Sequence, residues 1–492
     1  MPVQTNCESI IPARYVQLLA WAGAVLLGLL IPLKILQLGY IPTDDATRHV
    51  AKAISGKPWN EILVMDERFA MDEHPGWHAT LGVLHRTLNL DADTLIMVSV
   101  ALPFLAFWLA MLAGRRRPEG VLLALFVASL TAPGTFGRLL FGRPFIVWMV
   151  VYVVVLRLWT RDEKVSPARM TLTALLISLA TWMHGSWYLF GFVLAGFALA
   201  GQWRKTVQLA FCWGAGVLLG AMFTGHPFAY LHETGLHLFN VFGGPQMTRF
   251  LVTELRPDPG DLFLVTALLL ALLWRVARGD WKPGAWRDPL LVLAALGWLL
   301  GLKVSRFWTD WGTPAALLWL AAEVDAALAP RLDWSRIRPL ALTGFVAAGV
   351  FISSTRDLGG RWSSGAADFV TPQTKDIEGW LPESGGWVYS SELPVFFRMF
   401  YKNPHADWRY VLGFEPGIMR PEDFAVLRNI QLNWFAAQSY EPWVSKMRPQ
   451  DRLILLQGKD APPTINVLEW HFTAPDIWIG RTPRSNTSAA RP

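Results

Sequence analysis

Charge is scarce in this chain. Asp, Glu, Lys and Arg make up 17% of its 492 residues, where a soluble domain averages about a quarter, and that shortage argues against an ordinary soluble protein. Cysteine is nearly missing. Cys7 lies before the first apolar run and Cys212 inside a later one, so no disulfide framework is implied. No repeat of fixed period is visible. The first apolar run lacks a small-residue cleavage site behind it, so it reads as a retained helix.

What fills the chain instead is apolar. Hydrophobic residues reach 53%, gathered in blocks such as 18–30 and 290–300, and such blocks extended to roughly 20 residues suit a hydrocarbon core about 30 Å thick. The 26 Trp suit the water–lipid boundary, where the ring is buried and its N–H stays wet. The net charge of +6 does not point to nucleic acid, because many of the cations sit in short loops between apolar spans.

Eleven helices are expected, near 14–38, 92–113, 119–134, 143–160, 170–184, 187–201, 206–224, 260–277, 289–303, 311–328 and 339–355. With the N-terminus cytoplasmic, the inside loops are 114–118 (Arg115, Arg116 and Arg117), 161–169, 202–205, 275–288 and 331–338. All are short and rich in Lys or Arg, as the positive-inside rule asks. The outside receives two long loops, 39–91 and 225–259, and everything after about 356. Residues 356–482 change character: turn signals recur, and short β-like runs (387–390, 452–456, 477–480) flank a helical stretch at 421–437. The expected class is a polytopic α-helical membrane protein of about 11 spans with a small extracytoplasmic α/β domain. Residues 1–355 form the transmembrane domain with its first outside loop at 39–91, residues 356–482 the α/β domain, and 483–492 a disordered tail. The formal sequon at 486–488 falls in that tail.

The first outside loop opens with Asp44 and Asp45. Pro42 stops the first helix, Thr43 or Asp44 can cap a new one, and 46–55 is helix-forming. Ala46, Val50, Ala53 and Ile54 would lie on the membrane surface, with Arg48 and Lys52 facing water. The helix dipole favours the charged carboxylates, while partial desolvation opposes it. Such a group can act as general base towards a hydroxyl or amine, or as half of a divalent-metal site. The plain alternative is a helix cap, but a cap needs one acid and here there are two. Further on, Asp72, Glu73, His74, Trp77 and His78 crowd together. If a helix begins at Pro75, His74 and His78 lie one turn apart, a spacing that can ligate metal and equally suits a polar interfacial loop. Trp77 and Trp59 would serve as stacking platforms for a sugar or headgroup.

Cations also occur on the expected outside, against the usual bias. Arg138 and Arg143 join the third and fourth spans; Lys303 and Arg306, the latter followed by aromatics and Asp310, join the ninth and tenth; His184 and His226 occupy other turns. Arg and Lys at this level can hold a lipid phosphate through charge-assisted hydrogen bonds, or snorkel to ordinary headgroups.

The arrangement resembles the GT-C superfamily of membrane glycosyltransferases, which includes protein O-mannosyltransferases, lipid A aminoarabinose transferases and oligosaccharyltransferases. The resemblance rests on Asp44-Asp45 directly after the first span, the long loop with an interfacial helix, the many spans and the outside C-terminal domain. It implies an inverting transfer of sugar from a polyprenyl-phosphate donor to an extracytoplasmic lipid, glycan or protein. Asp44 or Asp45 would be the base or a metal ligand. Arg138, Arg143, Lys303 and Arg306 would bind the donor phosphate, and His74, Trp77 and His78 the acceptor or sugar. A divalent ion (Mg or Mn) would find candidate ligands in Asp44, Asp72, Glu73 and His74. Partners would be membrane lipids and the lipid-linked sugar, with no nucleic acid. The expected setting is a bacterial inner (plasma) membrane, with the C-terminal domain periplasmic or extracellular. The Trp-Trp-Asp signature of oligosaccharyltransferases is absent from the C-terminal segment, which argues against N-glycosylation. A transporter or flippase of a lipid-linked substrate is the competing class, with His184 the residue that favours it.

Overall fold

The computed structural model describes residues 13–42, 44–69, 71–160, 164–243, 262–281, 284–328, 337–363, 369–473 and 476–483. The expected tail from 484 onward, with its sequon, lies outside them, as does the second outside loop beyond 243. In chain order the first helices are α1 (Ala13–Gln37), α2 (Asp45–Ser55), α3 (Pro75–Leu88), α4 (Ala92–Leu112), α5 (Glu119–Thr131) and α6 (Pro133–Leu139). Next come α7 (Phe145–Thr160), α8 (Pro167–Met183), α9 (Gly191–Leu199), α10 (Trp203–Met222), α11 (Pro227–Gly243) and α12 (Leu262–Ala277). The last are α13 (Pro289–Gly301), α14 (Thr313–Leu328), α15 (Ile337–Thr355), α16 (Leu393–Lys402) and α17 (Pro421–Leu432).

Each apolar stretch expected from the sequence is helical. Three of these helices, α1 from Arg14, α4 and α10, are long and apolar enough to cross a membrane. A fourth crossing arises if α5 and α6, bent by 105° at their junction, are taken as one broken span. The break has a local cause. Pro133 has no N–H to continue the ladder and pushes the preceding residue out of helical geometry, and Ala132 sits at φ −134°, ψ 58°. The remaining apolar helices are shorter; α7, with 16 residues, is about 24 Å long at 1.5 Å per residue.

The chain divides into two compact units. Unit 1 holds residues 1–40, 98–227 and 245–364. Within it α1 packs on α15, α5 on α14 and α15, and α8 on both α7 and α10. Its outer surface carries large apolar side chains, among them Leu18 and Leu26 on α1, Phe211 on α10 and Phe263 on α12, which fits contact with lipid. Inside, α7 is buried along most of its length, including Trp148, Tyr152 and Trp159.

Unit 2 joins 41–97 and 228–244 to 365–492, whereas the sequence alone groups 39–91 with the transmembrane helices. Its centre is a five-stranded mixed sheet in the order β2-β1-β3-β5-β4, built from β1 (Trp387–Tyr389), β2 (Arg409–Tyr410), β3 (Arg452–Leu456), β4 (Glu469–Thr473) and β5 (Ile477–Arg481). β1 runs parallel to β2 and β3, while β5 lies antiparallel to β3 and β4. The first loop is stitched to this sheet: Leu63 bridges to Tyr410 and Met65 to Met419. Trp59, Ile62, Leu63 and Phe69 share one core with Val388, Phe396, Phe400 and Ile454. Edge pairing and a common apolar core, signals carried by residues more than 300 positions apart, explain why the loop folds with the C-terminal segment.

One close approach in unit 1 leaves no room for a side chain. A Cβ added at Gly297 on α13 would lie 2.5 Å from the Gly312 Cα, so two backbones touch there and only hydrogen fits between them. Gly297→Ala is expected to lower stability by about 1–3 kcal/mol through overpacking, read as a fall in melting temperature of the purified protein in detergent.

Candidate active site

In unit 2 the polar cluster begins with α2. Its N-cap position is Asp44, whose side chain makes no capping hydrogen bond. Its end is fixed by Gly56, at φ 64°, a left-handed position that glycine fills without Cβ strain. Asp45 accepts from Arg48 Nε at 2.7 Å. The helix does not lay an apolar stripe on a membrane surface with Arg48 towards water. It packs against α3 and α16, and Arg48 is buried with its guanidinium 4.1 Å from the centre of the Phe414 ring. The apolar face was correctly spaced; its partner is protein.

The helix expected at Pro75 is present as α3, and His74 and His78 lie one turn apart with ring centres 6.0 Å apart. Asp72 organises them. It accepts from His78 Nδ1 at 2.6 Å, from the His74 backbone N–H at 3.0 Å and from the Trp59 indole at 3.3 Å. Burial alone would raise the Asp72 carboxyl, but His78, Lys52 and His74 around it outweigh burial and hold it well below the usual carboxylate range. Burial pushes His78 down, against the pull of Asp72. An ionised Asp72 can only accept, so His78 donates through Nδ1, and its Nε2 accepts from His49 Nδ1 at 2.8 Å. A carboxylate–imidazole–imidazole chain results, which places the lone pair of a neutral His49 on Nε2. Lys52 lies 5.5 Å from the Trp59 ring centre, and burial lowers its pKa.

A second cluster adjoins the first. On α11, Tyr230, Glu233 and His237 fall on one face. Tyr230 donates to the Glu73 carbonyl at 3.4 Å, and Glu233 accepts from the Met71 N–H at 2.8 Å. His237 lies between two carboxylates, with Glu73 at 3.4 Å and Glu415 at 3.0 Å. Burial would lower His237, but Glu415 and Glu73 together raise it to about 10. Burial raises Glu73 itself.

The residues expected to meet acceptor or sugar, His74, Trp77 and His78, are all buried, as is Trp59. None of these is a surface stacking platform here; Trp59 instead pins Asp72. Two of the four metal candidates are engaged with other side chains. Asp72 is occupied by N–H donors and Glu73 by His237, and among the described residues no group of three or more His, Cys, Asp or Glu is placed to hold a metal. His49, His237 and Glu415 carry no site assignment from sequence, and Lys52, expected to face water, sits partly buried beside Asp72. His49 carried one usable signal, a polar ring on the apolar face of α2; His237 and Glu415 meet only through the fold.

In unit 1 the three expected outer turns converge on Phe145. Arg138 and Arg306 each lie 5.9 Å from its ring centre, and His184 is edge-on to it at 5.3 Å. Arg138 is engaged along one edge of its guanidinium by Asp310, through Nε to Oδ1 and through Nη2 to Oδ2 at 3.0 Å. The pair joins α6, on the short side of the 105° bend, to a π-helical turn at Phe307–Gly312. Arg143 stacks over Phe141 at 5.0 Å, and Lys303, past the end of α13, is exposed.

Both ion-paired groups are open to measurement. Arg138→Gln and Asp310→Asn should each cost about 3–5 kcal/mol, because removing one partner strands a buried charge; the double variant should cost less than the sum in a double-mutant cycle of melting temperatures. The folded pKa of His237 lies above its ordinary value, so its stabilising contribution is complete below about 6.5 and is lost as pH rises towards about 10. Melting temperature against pH should therefore fall between those limits, and His237→Gln should flatten the fall.

No protein-family model matches the chain, and no curated protein sequence does. Among solved structures, the Archaeoglobus fulgidus oligosaccharyltransferase tethered to an acceptor peptide through a disulfide covers 90% of this chain and 69% of its own, at 13% identity and a TM-score of 0.49. The same enzyme in its apo form covers 96% of this chain and 75% of its own, at 14% identity and a TM-score of 0.48. Likeness at this level leaves family, donor, acceptor and chemistry to be argued from the residues themselves.

Proposed function

We propose that this chain is an inverting membrane glycosyltransferase that moves a sugar from a polyprenyl-phosphate donor to an extracytoplasmic lipid, glycan or protein. The observation that carries the reading is the acidic pair at the start of α2, directly after the first span: Asp45 is held by Arg48 inside the helix, and Asp44 stands at its N-cap position. On this reading Asp44 is the base and Asp45 its positioning neighbour. The acceptor O–H or N–H attacks the anomeric carbon, its proton passes to Asp44, and a new glycosidic bond forms as the bond to the donor phosphate breaks. The lipid phosphate leaves with the bonding electron pair, and one displacement inverts the anomeric configuration. Within unit 1, Arg143, Lys303 and Arg306 are cations of the kind that suit a phosphate, and Arg138, paired with Asp310, fixes the turn that carries Arg306. The imidazole chain on Asp72 gives the loop its rigidity. The setting is a bacterial inner membrane with the N-terminus cytoplasmic and unit 2 outside.

A transporter of a lipid-linked substrate is the second reading, favoured by the broken α5–α6 helix and the π-helical turn, since irregular helices line polar paths in transporters. The discriminating variant is Asp44→Asn. Glycosyltransferase chemistry expects glycosylated envelope product, followed by mass spectrometry, to fall about 100-fold or more with folded protein unchanged. Full product formation by Asp44→Asn would remove the proposal, and lipid-linked substrate crossing the membrane at the wild-type rate without product would favour transport.

A further inference from the structure

Unit 1 has a second concentration of cations that the transfer chemistry does not use. A cavity of about 410 Å³ is lined by Arg115, Arg157, Arg275 and Arg287, with Leu290 and Leu318 among its apolar walls. These arginines come from, or directly flank, loops the sequence assigns to the cytoplasmic side. α7 relates the two ends of the unit: Phe145, where the outer turns meet, begins it, and Arg157 and Thr160 end it. Twelve residues of α-helix from Phe145 to Arg157 span about 18 Å, so the cavity lies far from the Arg138–Asp310 pair.

The arginines are held in place. Arg157 donates through Nη1 to the Ala110 carbonyl at 3.0 Å and to that of Met111. Arg115 donates to the Leu318 carbonyl at 3.0 Å and pairs with Asp325 at 3.4 Å. Arg275 pairs with Glu323 at 2.6 Å. Arg287 stacks over Trp286 at 4.7 Å and is exposed. Among the lining residues four arginines face one carboxylate, Asp288. Counting Asp325 and Glu323 behind them still leaves four cations against three anions, so the cavity is positive. Guanidinium groups fixed at several angles suit the oxygens of a phosphate, and basic pockets between helices on this side of a membrane suit anionic headgroups.

We infer that this cavity is a binding site for a phosphate-bearing anion, either the headgroup of an anionic phospholipid or a soluble phosphate, separate from the proposed transfer site. The test uses the purified full chain in detergent, delipidated and then exposed to phosphatidylglycerol, to phosphatidylcholine or to inorganic pyrophosphate, with bound molecules counted by native mass spectrometry. Phosphatidylglycerol retained about tenfold over phosphatidylcholine, or pyrophosphate bound alone, supports the site; the first identifies a lipid occupant and the second a soluble one. Arg287→Gln should reduce that binding several-fold and Arg287→Lys should restore most of it, with melting temperature unchanged in both. Equal retention of the two lipids with no pyrophosphate bound, or binding indifferent to Arg287→Gln, would overturn the inference. The readout is independent of glycosyl transfer, so loss of either reading leaves the other standing.

Discussion

Asp72 takes hydrogens from an imidazole, an indole and a backbone amide at once, and with Lys52 close by its half-buried carboxyl stays ionised. That fixed negative charge settles the tautomers of His78 and then of His49, so one carboxylate orients two rings that it reaches in series. A buried charge is tolerable only when fully partnered, and here the partners are supplied by α2, α3 and the short helix at Trp59–Ile62. The position of α2, and with it the Asp44–Asp45 pair at its start, depends on that arrangement as much as on the apolar face beneath.

Unit 1 meets the same constraint by different means. Arg138 and Asp310 satisfy each other where two helices depart from regular geometry, and Arg157 closes the carbonyl end of α4. In a hydrocarbon setting the backbone groups freed by a broken helix need partners inside the protein. The proline breaks the helix at the α5–α6 junction, and the ion pair ties the short arm beyond it to the π-helical turn.

The sequence was most readable where its signal was local. The apolar stretches gave the helices within a few residues, Pro75 marked the start of α3, and the period of α2 gave its buried face. It was silent where the fold alone brings residues together. Nothing near Arg138 announces that its charge is consumed by Asp310, 172 positions away. Nothing near Glu73 announces a histidine on α11 between it and Glu415. The apolar run at 62–65 is too short to show that this piece of the first loop joins a sheet whose strands begin at Trp387. Arg48 misled for a physical reason as well: a long cationic side chain on a helix usually faces water, and here the ring of Phe414 and the carboxylate of Asp45 help make its burial tolerable.

The turn at Phe307–Gly312 has a consequence for how this segment can vary. Its closing hydrogen bond runs from Thr313 back to Trp308, five positions rather than four, so the turn contains one residue more than an α-helix needs. Losing a single residue there would close the wide turn to an ordinary α-turn and leave the flanking helices nearly in phase, so its length is the part that can give. Its side chains are the constrained part: Asp310 is tied to Arg138 and Gly312 lies against Gly297.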